Sequence, residues 1–320
     1  MSAWSVAVIA LAATLAATPL AIVAARRTGI VDRPGALKPQ SAPVPYLGGV
    51  GVFAGLTVGA VVGRPAVLVP LALALGLGVA DDRFGLPPVL RLFGQLGVGA
   101  TVAATCPLHL PGVAAVAVIA VTALLINGVN LVDGLDMLAA GVVAVAAVGF
   151  AVALHGPGRP LAVALAASLV GFLVYNRPPA RVYLGDGGSY LLGAALAVLL
   201  AFAWGPGVPV PVGTAVLALV AVVVAEVAFA VVRRARGRRS LMAGDRGHPY
   251  DRLVARGWPG PAASGAYVAI EAILAAGTLL AIDRHSLTAA VALDAAAAVL
   301  VVALAGATGA LTPDDEEART

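Results

Sequence analysis

The sequence predicts an all-α integral membrane protein, a polytopic bundle of about 10–11 transmembrane helices. Three observations predict it. Of 320 residues, 61% are hydrophobic and only 11% are charged, and the mean hydropathy of +0.99 lies far from that of soluble domains. About eleven windows are apolar over roughly the twenty residues that a helix needs to cross the hydrocarbon core. Runs such as AVAVIAVTALLI lack the polar alternation of a membrane β-barrel strand, the other structure that satisfies its backbone in lipid.

The elements follow in order. Residues 3–25 form the first span. No basic segment precedes it and Arg26 and Arg27 follow it, which is the reverse of a cleaved signal peptide and places the N-terminus outside. Further spans are predicted over residues 46–63, 65–80, 92–106, 112–127, 137–154, 160–175, 189–204, 208–232, 263–282 and 286–309, the third, fourth and eighth being short. Threaded from an outside N-terminus, only Arg64, Arg159 and Arg284 of the 20 basic residues fall outside. The net charge of +4 thus reflects loops at a membrane surface and needs no nucleic acid. Cys106, the single cysteine, falls in a short outside loop and has no partner for an internal disulfide. Residues 1–312 read as one membrane domain with cytoplasmic catalytic loops, and residues 313–320 as a short acidic cytoplasmic tail. The longest polar stretch, 233–262, is too short for a soluble domain.

The acidic residues fall on one side. Asp32, Asp81, Asp82, Asp133, Asp136, Asp186, Asp245 and Asp251 lie in inside loops or at inside helix ends, and Asp283 alone lies in an outside loop. A transporter would more often carry its carboxylates near the midplane. Glu226, Glu271 and Asp294 do fall within spans, and they read as hydrogen-bonded packing or interfacial positions.

Three segments carry chemistry. GVADDRFGL (78–86) ends a helix with Asp81 and Asp82, about 100° apart, so that two ligands or a ligand and a base are presented together. Adjacent like charges favour a cation, and Mg²⁺ suits an oxygen-only site that handles phosphate. Solvated charges flanking a helix are the alternative. NGVNLVDGLDML (127–138) places Asn127, Asn130, Asp133 and Asp136 at three-residue steps, which on one continuous helix would drift 60° each time. Gly128 and Gly134 suggest that one helix ends and another begins there, with the polar groups meeting at the break. Capping by Asp133, with Asp136 at N3, would explain the aspartates and leave both asparagines without a role. YNRPPARVYLGDGGSYLLG (175–193) surrounds Asp186 with Gly185, Gly187 and Gly188 just before an apolar helix, where backbone can approach an anion and a carboxylate can hold a metal. Ser189 as an N-cap is compatible with that.

At these residues the chain resembles the polyprenyl-phosphate N-acetylhexosamine-1-phosphate transferases (glycosyltransferase family 4). The match runs through DRPGALK and PVPYLGG (32–49), ADDRFGL, NGVNLVDGLDMLAAG, NRPPARVYLGDGGS and DRGHPYDRL (245–253), in family order. The resemblance implies a Mg²⁺-dependent enzyme, Mn²⁺ being a substitute, in which polyprenyl phosphate attacks the sugar-bearing phosphate of a UDP-N-acetylhexosamine, giving polyprenyl-diphospho-sugar and UMP. It implies a multi-pass protein of the plasma membrane with a cytoplasmic active site, serving lipid-linked cell-wall or surface glycan synthesis; a homodimer is compatible with it. By the same analogy Asp186 is the leading metal ligand, completed by Asn130 and by Asp82 or Asp81, and one of Asp81 and Asp82 orients or helps deprotonate the acceptor. Asn127, Asn130, Asp133, Gly134, Leu135 and Asp136 would line the nucleoside pocket. Tyr183 matches an aromatic position that stacks on uracil, with an interfacial-belt tyrosine as the alternative. His248, Arg246 and Arg252 would meet the diphosphate.

The chain also departs from that pattern. HPYD stands where relatives carry several histidines, Lys38-Pro39-Gln40 where a histidine often follows, and Tyr46 where an arginine often precedes LGG. These changes argue against a phospho-muramoyl-pentapeptide transferase more than against the reaction class. A lipid-glycan flippase would share the topology but leaves the one-sided carboxylates unexplained, as does a non-catalytic scaffold.

Overall fold

A computed structural model describes residues 1–33, 42–107, 111–238, 240 and 247–312. It is an all-α bundle whose helices alternate in direction. They are α1 (Ala3–Thr28), α2 (Gly48–Gly63), α3 (Leu68–Phe84), α4 (Pro88–Thr105), α5 (Pro111–Val132), α6 (Leu138–Ala153), α7 (Gly158–Asn176) and α8 (Gly185–Ala203). They continue as α9 (Val210–Ala215), α10 (Ala221–Arg236), the short α11 (Pro249–Ala255), α12 (Gly260–Asp283) and α13 (Leu287–Thr308). The ninth predicted span is α9 and α10 joined by a 3₁₀ segment over Val216–Val220. Among the described residues, eight segments are long and apolar enough to cross a membrane, while α2 and α6 are apolar but shorter, at 16 residues each. Two short strands, β1 (Val31–Asp32) and β2 (Val44–Pro45), pair antiparallel and are the only strands among the described residues.

The centre of the bundle is α8. Apart from Asp186 its residues are buried along its whole length, and it packs on α3, α5 and α2. Lipid gives helices no hydrophobic reason to associate, so close approach through small side chains has to do it. Gly49 of α2 lies on the backbone of Gly188, Gly78 of α3 on that of Asp186, and Gly193 on that of Ile126 in α5. Each contact is backbone against backbone and leaves no room for a Cβ.

Several boundaries differ from the sequence-based expectation. Helix α5 runs unbroken past Asn127 and Gly128 to Val132, and the break falls at residues 133–137. Gly128 serves instead to admit Val223 of α10. Helix α6 starts at Leu138 after Met137, whose φ of 67° is left-handed, so neither Asp133 nor Asp136 caps it. Asn176 holds that turn by accepting from the Met137 N–H at 2.9 Å. Helix α8 begins at Gly185, four residues before the expected start, so Ser189 is a buried interior residue and no N-cap. Cys106 caps the end of α4 and is buried. Glu226 is hydrogen-bonded, but the fully buried Glu271 finds no hydrogen-bond partner among the described residues.

The ends of α1, α3, α5, α7, α10 and α13 and the starts of α2, α4, α6, α8 and α12 gather at one end of the bundle, where α11 also lies. The N-terminus lies at the opposite end. A cysteine placed at residue 2 should therefore label with an impermeant maleimide from one side of sealed vesicles, and one at residue 312 from the other. Labelling of both from the same side contradicts an odd number of crossings.

Candidate functional site

Four loops and helix ends converge at that end. The first cluster forms where α3, α5 and α8 meet. Asp82, on the last turn of α3, accepts from the backbone N–H of Asp186 at 2.9 Å and of Gly187 at 3.1 Å. It thereby caps the N-terminus of α8 from another helix, satisfying orphan donors with a full negative charge. Gly185, at φ 69°, makes the approach: a Cβ there would meet both Tyr46 O and the Asp82 carboxylate. Asn130 of α5 donates to Asp186 Oδ1 at 2.6 Å and to Ser189 Oγ at 3.2 Å. Asp82, Asn130 and Asp186 are thus brought together.

Asp81 joins the same end of the bundle but is already occupied. It is 6% exposed, accepts from the Leu86 N–H at 2.8 Å and the Tyr190 hydroxyl at 2.7 Å, and pairs with Arg91 at 3.3 Å. Its carboxylate also lies close enough to Asp186 to raise the pKa of that group. Asn127 is not brought into the cavity either. Its amide exchanges hydrogen bonds with Gln95 of α4 and donates to Ala123 O. The 60° step between Asn127 and Asn130 is what sends the two to different neighbours, α4 and α8.

Beside the cluster lies a cavity of ≈ 810 Å³. Its walls are Asn130 and the turn Asp133–Gly134–Leu135–Asp136, with Asn176, Pro178, Pro179, Ala180 and Tyr183 from the α7–α8 connection. Asp32, Val44 and Tyr46 also line it, as do His248, Tyr250, Asp251, Gly260 and Pro261. The Tyr183 N–H donates to Pro45 O at 2.8 Å and its carbonyl accepts from Gly48, which sets its ring 6.2 Å from that of Tyr46. Burial, followed by the charges of Asp136, Asp32 and Asp133, pushes the Tyr183 phenol up to about 12, so it stays neutral at physiological pH. Burial also raises the pKa of Asp136, and the bond it accepts from the Ala180 N–H at 3.0 Å offsets only part of that rise.

Asp133 is half-buried, and burial together with Asp186, Asp82 and Asp136 raises its pKa well above the ordinary carboxylate value. The native state therefore holds that proton more tightly than the unfolded chain. Stability from it is fully present below about pH 3.9 and is lost as pH rises through the raised value. Asp133→Asn removes the penalty. In metal-free protein its apparent Tm should exceed that of wild type by about 2 °C or more at pH 7–8, and the difference should vanish near pH 4. An unchanged or lower Tm at pH 7–8 defeats this account.

His248 is 2% exposed where it borders the cavity. Its Nδ1 lies 2.8 Å from Glu226 Oε2 of α10, while Glu226 Oε1 accepts from the Tyr267 hydroxyl of α12 at 2.6 Å. Tyr250 stacks parallel on the imidazole at 5.3 Å and donates to Leu131 O at 2.7 Å. Gly134 is the surface on which Tyr250 rests, since any Cβ there would meet the phenol. The guanidinium of Arg252 donates to Gly247 O and to Thr312, just beyond α13. Arg246 lies outside the described residues, as does the tail 313–320. Sequence reasoning missed Glu226, Tyr267, Tyr190 and Asn176 as neighbours of the site. Their signal was a polar side chain inside an apolar span, and the span gave no hint of which loop residue each would meet.

Among the described residues no three His, Cys, Asp or Glu side chains gather closely enough to hold an ion unaided. Two carboxylates and a carboxamide are nevertheless a hard, oxygen-only set. That suits Mg²⁺, which takes one or two carboxylates and fills its remaining positions with water and substrate phosphate. The like charges of Asp82 and Asp186 also favour a cation between them.

Residues 65–203 match the family model described as glycosyl transferase family 4. The chain is 32% identical over 284 residues to a decaprenyl-phosphate N-acetylglucosaminephosphotransferase of Mycobacterium tuberculosis, covering 72% of this chain and 70% of that one. It is 28% identical over 274 residues to a probable undecaprenyl-phosphate N-acetylglucosaminyl 1-phosphate transferase of Bacillus subtilis, covering 78% and 76%. A phospho-N-acetylmuramoyl-pentapeptide-transferase of Moorella thermoacetica is 34% identical over 258 residues, covering 68% and 78%.

Proposed function

The chain belongs to glycosyl transferase family 4, and from that premise we propose that it transfers N-acetylglucosamine 1-phosphate from a UDP-sugar to polyprenyl phosphate, releasing UMP. The observation that carries this reading is the meeting of Asp82, Asn130 and Asp186 beside a cavity of ≈ 810 Å³, a volume within the roughly 300–1,000 Å³ usual for small-molecule sites. The acceptor is lipid-borne and the donor water-soluble, so a site at the membrane surface, here the cytoplasmic face of the plasma membrane, is where they meet.

The roles follow from placement. Phosphoryl transfer needs alignment and charge neutralisation more than proton chemistry. The acceptor phosphate, with a second pKa near 6, is already largely ionised at neutral pH. Asp186, Asn130 and Asp82 would hold Mg²⁺, or Mn²⁺ in its place, which when bound supplies positive charge to the phosphate oxygens. Asp81, which holds Arg91 at 3.3 Å and adjoins Asp186, would orient or help deprotonate the acceptor phosphate. Tyr183 supplies a neutral aromatic face for the uracil, and the Asp133–Asp136 turn borders it. His248, on the cavity wall, would meet the donor diphosphate.

Purified protein assayed with polyprenyl phosphate, Mg²⁺ and a panel of UDP-sugars tests the reading. UMP release with UDP-N-acetylglucosamine is expected. Release with UDP-muramoyl-pentapeptide alone would reassign the donor, and no release with any donor would leave a flippase as the better account. Tyr183→Ala should raise KM for the donor about ten- to a hundredfold with little change in kcat, since stacking is worth ~1–3 kcal/mol per base. Tyr183→Phe should behave as wild type; an equal loss in both would replace stacking by a role for the hydroxyl.

A further inference from the structure

Glu226 lies in the interior of α10, within a membrane-crossing segment, and its side chain is 1% exposed. A carboxylate there costs several kcal/mol unless it is partnered, so its partners matter. It has two. Tyr267 comes from α12 and His248 from the start of α11, so one carboxylate ties together three helices.

The chemistry at the histidine is constrained. A carboxylate accepts and cannot donate, so a bond from His248 Nδ1 to Glu226 requires the proton to sit on Nδ1. With Nδ1 committed to Glu226, the orientation of the ring where it borders the cavity is set. Tyr250 stacked 5° from parallel then blocks rotation of the imidazole, and Tyr250 is itself held by Leu131 O. Position, tautomer and plane of the ring are therefore all fixed by its protein neighbours. Tyr267 does for Glu226 what Glu226 does for His248: its short hydroxyl bond to Oε1 keeps Oε2 aimed at the ring.

Resting on the proposed transferase reaction, we infer that Glu226 is a positioning residue, which with Tyr267 fixes the place, tautomer and plane of His248 on the wall of the donor cavity. This gives the single histidine of HPYD the preorganisation that a group of histidines would otherwise supply by number. It also makes Glu226, formally a residue of a transmembrane helix, part of the donor site.

The test is a double-mutant cycle on kcat/KM, with UMP release normalised to folded protein, together with ¹⁵N shifts of the histidine rings. With four histidines in the chain, the His248 signals are assigned by their loss in His248→Ala. Glu226→Ala should lower kcat/KM about ten- to a hundredfold, the usual cost of losing an orienting partner. Glu226→Asp and Tyr267→Phe should lie between it and wild type. In the His248→Ala background, Glu226→Ala should cost less than twofold more. The wild-type ring should show the Nδ1–H form, and Glu226→Ala a mixture of the two tautomers.

Independent, multiplicative losses in the double variant would overturn the inference, as would a wild-type ring protonated at Nε2 alone. A loss confined to folding yield, with full specific activity in Glu226→Ala, would make the residue purely structural. If wild type releases no UMP, the transferase reading falls by itself, and the ¹⁵N measurement still decides whether Glu226 sets the tautomer.

Discussion

Asp186→Ala should abolish turnover, with UMP release falling by at least about a thousandfold in protein that elutes as wild type does. Asp186 occupies the first turn of α8, where its backbone N–H is fixed by Asp82 and its Oδ1 by Asn130. Alanine keeps the first of these contacts and deletes the second, together with the carboxylate. Three orders of magnitude correspond to about 4 kcal/mol of transition-state stabilisation. Neutralising the charge of a transferring phosphoryl group supplies that much in related chemistry. Asp186→Asn is the sharper variant, because it preserves shape and hydrogen bonding and removes only the charge. If the carboxylate holds the cation, Asn should be nearly as inactive as Ala and should need far more Mg²⁺ for its residual rate. More than about a tenth of wild-type kcat in Asp186→Ala would remove the residue from the chemistry.

Which parts of the molecule were legible in the sequence depends on the kind of signal. The helical spans could be read, since a bilayer demands long apolar runs and the positive loops orient them. The motif residues on the crossing ends could be read too, because carboxylates in so apolar a chain are conspicuous. The break between α5 and α6 was misplaced. Gly128 resembles punctuation, yet its lack of a side chain serves contact with Val223, a neighbour 95 positions away that no local pattern reveals. The start of α8 was misplaced for a related reason: its cap comes from Asp82 on α3, not from the preceding residues, so no capping residue stands where one was sought. Asp81 and Asp82 were indistinguishable as a pair. Only the 100° between them, with Tyr190 and Arg91 on one side and the α8 N-terminus on the other, assigns them different work. Glu226 was read as packing because a lone acid in a span does not announce the histidine it will meet.

The second large effect should come from a residue with no side chain at all. Gly78 and Asp82 are one helical turn apart on α3, on the same face. Gly78 lets the backbone of Asp186 lie directly against α3, and Asp82 then reaches the amides of Asp186 and Gly187. A Cβ at 78 would overlap the Asp186 carbonyl, a backbone group that cannot rotate away. Gly78→Ala must therefore push the first turn of α8 off its cap, costing about 1–3 kcal/mol in overpacking. Displacing Asp186 by about an ångström should also cost about a hundredfold in kcat, since reactions that depend on alignment are that sensitive. Gly76→Ala, two residues earlier on the same helix, is the control: nothing lies within 4 Å of its Cβ, so both stability and rate should be unchanged. The two substitutions are chemically identical and alter helix propensity alike. A difference between them in activity per folded molecule therefore reports only the approach of α3 to Asp186. Equal, wild-type rates in both would mean that the closeness of α3 and α8 does not set the position of Asp186.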